Sequence, residues 1–299
     1  MTAETSAGIL PPIRSFSGVV LNQHPVSSSM IRLDIELDGD ASFAPGQFCM
    51  INLGDGSAMS LSRPLSILAA AENRLSLLYK IVGRGTRALS AAVAGQSIRL
   101  LSPLGNPFPR RDTNEPRLLL AGGVGLPPLA SWAELHGRED DLCCFGARDG
   151  ADAPWPLLPP PWQVSVDADV DVPADHTVHH GNVVELARNR LANRTEEFVV
   201  LACGPTPLLR AAAELAAERG WTCLVSIEER MGCGYGVCRG CVVPSAGDAG
   251  WQLACHDGPV IDASTLDWER LGLSPEQSLS VFESGSACVS CPSDQEAKQ

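Results

Sequence analysis

The 299-residue sequence predicts an antiparallel β-barrel domain, then an α/β domain on a parallel sheet, then a small cysteine-rich segment. Three observations carry that reading. From residue 12 to about 105 the chain shows short alternating strands with turn residues between them, the mark of a small barrel. From about residue 116, continuous apolar runs alternate with helical stretches, which implies a parallel sheet covered on both faces. Four cysteines then fall between 233 and 255 on a glycine-rich backbone. The domains are read as 12–110, 116–227 and 228–262, with a partly disordered extension over 263–299.

In the first domain, "MIRLDIEL" alternates Ile31, Leu33, Ile35 and Leu37 with Arg32, Asp34 and Glu36, the period of a half-buried strand. "GQFCMINL", "RLSLLYKIV" and "QSIRLLSPLG" are further strands, bounded by Gly, Pro, Asn and Asp. In the second, "RLLLAGG", "DLCCFGA", "WQVSVD", "EFVVLACG" and "TCLVSIEE" read as strands, and "PPLASWAELHG" and "NVVELARNRL" as helices. "TPLLRAAAELAAERG" is a helix with marked ends: Thr206 is expected to cap it, Pro207 to open it and Gly220 to end it. Its apolar face is Leu208, Ala212, Leu215 and Ala216.

Composition narrows the function. Hydrophobic content of 44% and charged content of 19% suit a globular protein with a real core. A net charge of −13 repels nucleic-acid phosphates, so that partner is excluded. No apolar run is long enough to span a membrane. The N-terminus lacks the basic and apolar regions of a secretory signal, so a cytoplasmic location is expected. There, eleven cysteines read as reduced thiols or metal ligands rather than disulfides.

The stretch "MGCGYGVCRGC" carries Cys233, Cys238 and Cys241, and Cys255 follows. This is the C-x4-C-x2-C plus distal Cys spacing of plant-type [2Fe–2S] ligation. A cluster needs two thiolates per iron and main-chain amides aimed at its sulfurs; Gly232, Gly234, Gly236 and Gly240 allow that wrapping. Structural zinc also takes four cysteines, but it prefers paired C-x2-C knuckles, which the x4–x2 asymmetry fits poorly.

Other motifs are weaker singly. "SRPLSI" sets Arg63, Pro64, Leu65 and Ser66 where an Arg can clamp a diphosphate and a hydroxyl can meet a flavin ring; alone, an Arg-Pro at a strand start is usually just a turn. "LYKIVGRGTRALS" places Gly83, Gly85 and Thr86 before a helix, a phosphate cradle or a plain glycine turn. "LLLAGGVGLPPLA" puts Gly122, Gly123 and Gly125 at the carboxyl end of a strand without the G-x-G-x-x-G fingerprint. Cys203, Gly204 and Pro205 form a second turn in the corresponding place. Arg148 suits a 2′-phosphate and Asp149 repels one, so the choice between NAD and NADP stays open.

In this order the motifs resemble the ferredoxin reductase superfamily. With "SIEERMGCGYGVCRGC" and "ACHDGPVID", the chain is similar over about residues 14–262 to the electron-transfer subunits of NAD-linked dihydroorotate dehydrogenase. The resemblance implies FAD contacts at Arg63, Pro64, Leu65 and Ser66, at Leu78, Tyr79 and Lys80, and at Gly85 and Thr86. It implies cluster ligands at Cys233, Cys238, Cys241 and Cys255, and an NAD site at the two sheet turns. It further implies an FMN-containing catalytic subunit as partner, in a heterotetramer of two of each, working in pyrimidine (UMP) biosynthesis. The alternatives are a flavin subunit of a sulfhydrogenase or a ferredoxin-NADP transhydrogenase, or a redox sensor without turnover. The chain departs from the family in the acidic stretch "GADAPWPLLPPPW" and past residue 262, both read as lying away from the motifs. His179 and His180 are expected in a surface loop, and Cys288 and Cys291 as an unligated thiol pair. Cys49, Cys143, Cys144 and Cys223 are expected in the core.

Overall fold

The computed structural model describes residues 12–54, 59, 61–168, 171–174, 176–247 and 250–271. Six strands close a barrel: β1 (Arg14–Pro25), β2 (Met30–Leu37), β3 (Phe48–Asn52), β4 (Arg63–Ala71), β5 (Arg74–Lys80) and β6 (Ser97–Leu104). Their order is β1-β2-β5-β4-β3-β6, antiparallel throughout. Leu33, Ile35 and Leu37 fill the interior as their alternation predicts, with Ile31 half-buried against the same cluster. Helix α1 (Arg84–Ser90) sends Leu89 into that interior. Gly83 stands at its N-cap, so Gly85 and Thr86 lie inside its first turn rather than ahead of it.

The second unit is a seven-stranded sheet in the order β10-β9-β8-β7-β11-β12-β15. Its strands are β7 (Arg117–Gly122), β8 (Leu142–Asp149), β9 (Gln163–Ala168), β10 (Val178–His180), β11 (Val199–Cys203), β12 (Cys223–Ser226) and β15 (Val260–Asp262). All pair in parallel except β15, which comes from the cysteine segment and runs antiparallel to β12. The chain winds outward from β7 to β10 and then returns to β11, so β7 and β11 flank the point where the strand order reverses. Such a switch point is where open α/β sheets hold ligands. Helix α2 (Leu126–His136) covers the face shared with the barrel, where Leu126, Leu129 and Trp132 meet Met30, Leu78 and Phe108. Helices α3 (Val183–Arg190) and α4 (Thr206–Arg219) cover the other. A ribbon of β13 (Val242–Pro244) and β14 (Trp251–Leu253) completes the cysteine segment.

Three expectations are corrected. Helix α4 has Pro205 at its N-cap and Thr206 already inside the helix; Pro205 holds the extended conformation a cap needs, with φ −59° and ψ 147°. Gly220 ends the helix in the left-handed region, as expected, at φ 71°. In the first turn of that helix Leu209 is the buried leucine, while Leu208 is half-buried beside Gly122; Ala212, Leu215 and Ala216 are buried as expected. His179 and His180 lie in the edge strand β10, parallel to β9, and not in a loop. The four cysteines expected in the core are buried, and burial pushes the thiols of Cys143 and Cys223 up to about 12. Cys288 and Cys291 fall outside the described residues. Among the described residues, no helix is long and apolar enough to cross a membrane.

Candidate functional site

The four cysteines of the motif come together as two pairs. Cys241 Sγ and Cys255 Sγ are buried and 3.2 Å apart. Cys233 and Cys238 form the outer pair, with the Cys238 main-chain N–H donating to Cys233 Sγ at 3.5 Å. The Gly236 N–H donates to Cys255 Sγ at 3.2 Å. Gly234 and Gly236 take φ of +86° and +88°, which a side chain would strain, and this curls the loop so that its amides face the sulfurs. Burial opposes ionisation of Cys233. The hydrogen bonds from Cys238, Tyr235 and Val237 outweigh it and bring the thiol down to about 6. Cys255 moves the other way, to about 12, through burial first and then its contact with Cys241.

This donor set fits a two-iron cluster: two thiol pairs, one shielded and one toward solvent, with main-chain N–H groups already turned on the sulfurs. The surface around the thiols carries large apolar side chains beside the exposed Arg239, His256 and Asp257. Tyr235, Val237, Val242 and Trp251 are all exposed, and the Arg270 guanidinium lies 4.6 Å from the Trp251 ring centre.

The segment is seated on both other units. Asn106 of the barrel donates through Nδ2 to the carbonyls of His256 and Asp257, at 3.2 and 2.9 Å. Ile227 N donates to Pro259 O at 2.9 Å, beside the β12–β15 pairing.

On the barrel, Arg63 opens β4 and its guanidinium rests on the first turn of α1. A Cβ on Gly85 would come 2.3 Å from Arg63 Nε, so only glycine leaves that seat. Arg63 Nη1 is steadied by the carbonyls of Leu61 and Ser62, at 2.8 and 3.2 Å. Thr86 Oγ1 accepts from the N–H groups of Val82 and Gly83, at 3.0 and 3.2 Å, and fixes the turn. Leu65 packs toward the barrel interior, and the flank from Arg63 to Ser66 stays half-exposed. Arg63, Gly85 and Thr86 therefore lie together, as the motif order predicts. Tyr79 is committed to the barrel interior, where its OH donates to Gln23 Oε1 at 2.9 Å. Leu78 faces the sheet domain.

The two sheet turns touch through their backbones. A Cβ on Gly125 would come 2.2 Å from Cys203 O, and one on Gly204 would come 3.1 Å from Gly122 O. Gly122, Gly125, Cys203 and Gly204 thus form one packed, buried junction at the switch point, with half-buried Gly123 and exposed Pro205 at its rim. Lys80 reaches toward it from the barrel: its Nζ would lie 3.6 Å from a Cβ on Gly123. The same Nζ pairs with Asp152 Oδ2 at 3.2 Å. Ser29 also donates to Asp152, and Ser28 N to Ala151 O at 2.8 Å. The stretch "GADAPWPLLPPPW" therefore does touch a motif, through Asp152, which corrects the expectation that it lies apart. No local pattern marks that pairing. Glu228 lies just after β12; desolvation raises its carboxyl pKa and Lys80 opposes the rise.

Comparison with known proteins decides the family. The model of the iron-sulfur cluster binding domain of dihydroorotate dehydrogenase B matches residues 228–267. The dihydroorotate dehydrogenase B (NAD(+)) electron transfer subunit of Bacillus velezensis is 35% identical over 233 residues, 74% of this chain and 86% of the relative. The subunit of the same name from Lysinibacillus sphaericus is 30% identical over 267 residues, 83% of this chain and 96% of the relative. The chain belongs to the dihydroorotate dehydrogenase B electron transfer subunit family. Its fold is shared more widely. The NADH-dependent reduced ferredoxin-NADP oxidoreductase superposes with a TM-score of 0.71 at 23% identity, covering 94% of this chain and 99% of that one. The ferredoxin reductase in carbazole 1,9a-dioxygenase superposes at 0.61 and 22% identity, covering 71% and 67%. Within the electron transfer subunit family, the matched segment contains all four paired cysteines.

Proposed function

We propose that this chain carries electrons from an FMN-containing dihydroorotate dehydrogenase catalytic subunit to NAD⁺, in the cytoplasm and in the service of pyrimidine biosynthesis. The observation that carries the reading is the paired-thiol loop packed against a barrel and a sheet that each present a nucleotide-type site. Cys233, Cys238, Cys241 and Cys255 would hold a [2Fe–2S] cluster. Arg63 and the first turn of α1, with Gly85 and Thr86, would hold the FAD diphosphate. Pro64, Ser66 and the main chain at Leu65 and at the β5 end, Leu78, Tyr79 and Lys80, would flank its ring, the Leu65 and Tyr79 side chains being turned into the barrel. Gly122, Gly123, Gly125, Cys203, Gly204 and Pro205 would receive NAD. The cluster passes single electrons, nicotinamide takes a hydride, and a flavin between them handles both.

The chain's residues supply the order. The thiol loop carries the exposed Cys238 at one face, ringed by Tyr235, Val237, Val242 and Trp251. Aromatic and apolar groups around a cofactor suit the core of a protein interface. We assign the catalytic subunit to that face, in an assembly of two of each subunit, with on the order of 1,200 Å² or more buried at each contact. Lys80 holds the barrel and sheet together through Asp152 beside the glycine turns.

The isolated chain is expected to oxidise NADH with an artificial acceptor and to leave dihydroorotate untouched. Adding the FMN subunit should restore dihydroorotate-dependent NAD⁺ reduction. Turnover of dihydroorotate by this chain alone would refute the relay. The nucleotide turns have their own test. Gly125→Ala drives a methyl into the Cys203 carbonyl and must part the two turns. NADH affinity, measured by titration, should fall at least about tenfold, the equivalent of ~1.4 kcal/mol, with bound flavin retained. Unchanged affinity would remove those turns from the site.

A further inference from the structure

The thiol loop packs on β3, the strand that lies beside β4 in the barrel. Strand β3 alternates in direction: Cys49 and Ile51 join the barrel interior, whereas Phe48 and Met50 join the core shared with the cysteine segment. Across the β3–β4 ladder Met50 is registered with Pro64 and Phe48 with Ser66. Registered partners share a face, so Pro64 and Ser66 lie on the same outer side of the barrel as Met50. On the other side Gly234, the neighbour of Cys233, presses on the same residue. A Cβ there would come 2.6 Å from Met50 Cγ and 3.1 Å from Met50 Sδ. Leu104 of β6 would be 3.1 Å from that Cβ, and Leu101 of β6 is registered beside Met50. Met50 is 3% exposed. One buried thioether is thus wedged between the loop that carries the thiols and the strand that carries the Arg63–Ser66 motif.

We infer that Met50 is the positioning residue for electron transfer between cluster and flavin, fixing the gap between the thiol loop and β4 and filling it with packed atoms. The inference rests on the cofactor assignment proposed above. Electron transfer weakens steeply as a gap widens, and faster across a void than through close-packed matter. Methionine suits such a gap, being unbranched, adaptable and polarizable. Alanine there would strip contacts from both flanks and leave a cavity that the surroundings close only in part. The affected step is simple: one electron leaves the reduced flavin, one ferric ion of the cluster becomes ferrous, and no atom is transferred.

The test uses the full chain with flavin and cluster in place, mixed anaerobically with NADH. Flavin bleaching reports hydride arrival, and cluster absorbance with its rhombic signal reports the electron. The readout is the ratio of the second rate to the first within one protein. Met50→Ala should lower that ratio at least about tenfold at unchanged iron content and cluster potential, through the lost packing contact. Met50→Leu, close in volume, should stay within about threefold of the native ratio. A native ratio in Met50→Ala would overturn the proposal. So would a slowing fully matched by a shifted cluster potential, because driving force and not the gap would then be responsible. If Met50→Ala loses its cluster, Met50→Val removes part of the same contact; a lowered ratio there supports the proposal and a native one overturns it. Native protein lacking flavin or cluster would instead fail the cofactor assignment, before any variant is compared.

Discussion

Replacing Cys238 by Ser should abolish dihydroorotate-dependent NAD⁺ reduction in the reconstituted complex. The native chain, purified anaerobically, should contain two irons and two labile sulfides per protein and give a rhombic signal after one-electron reduction. Cys238 is the most exposed of the four thiols, and its main-chain N–H also helps to hold Cys233 low. Serine keeps the backbone donor but replaces a soft thiolate with a hard, weakly acidic hydroxyl, which iron–sulfur ligation tolerates poorly. Oxidation of NADH by an artificial acceptor does not pass through the cluster and should survive the change. Tightly bound zinc in the native chain, or full coupled activity in the variant, would defeat the assignment.

Much of this was legible in the sequence because it is periodic or because its spacing is chemical. Strand β2 alternates, as do the first halves of β5 and β6, the sheet strands are continuous apolar runs, and the cysteine spacing belongs to a known ligation pattern. What stayed hidden is tertiary. Strand β1 buries only Phe16 and Val20 fully along its length, so it shows no apolar stripe. Strand β4 begins on Arg-Pro, which reads as a turn. Strand β10 is three residues long and exists only through its pairing with β9. The segment "FCMIN" is buried on both faces, inside by the barrel and outside by the cysteine segment, so alternation could not show Met50 pointing outward. Lys80 and Asp152 meet across 72 positions of sequence, and neither carries a local signal of its partner. Glu228 was equally mute: it reads as a strand-end acid until the fold brings it near Lys80.

The clamp on the flavin diphosphate can be tested from both of its sides, and both changes should give the same loss. Arg63→Ala removes the guanidinium directly. A charge-assisted hydrogen bond of this kind contributes about 1.5–3 kcal/mol, so FAD affinity should fall roughly 10- to 100-fold. Gly85→Ala leaves Arg63 in the sequence but places a methyl 2.3 to 2.6 Å from its Nε, Cζ and Nη2 atoms. Those atoms end a flexible side chain, so the fold can yield by swinging the guanidinium away. Gly85 also lies in the first turn of α1 without a positive φ, where alanine is the better helix former. The second variant should therefore be at least as stable as the native chain and yet bind flavin about as poorly as Arg63→Ala, given the same lost contact. In both, iron content should match the native protein, because the thiol loop packs on β3 and β6 and not on α1. Flavin content and an FAD titration decide the matter. Retention of FAD in Arg63→Ala would remove the clamp. Retention in Gly85→Ala alone would show that the guanidinium reaches the diphosphate from a seat other than the one against the first turn of α1.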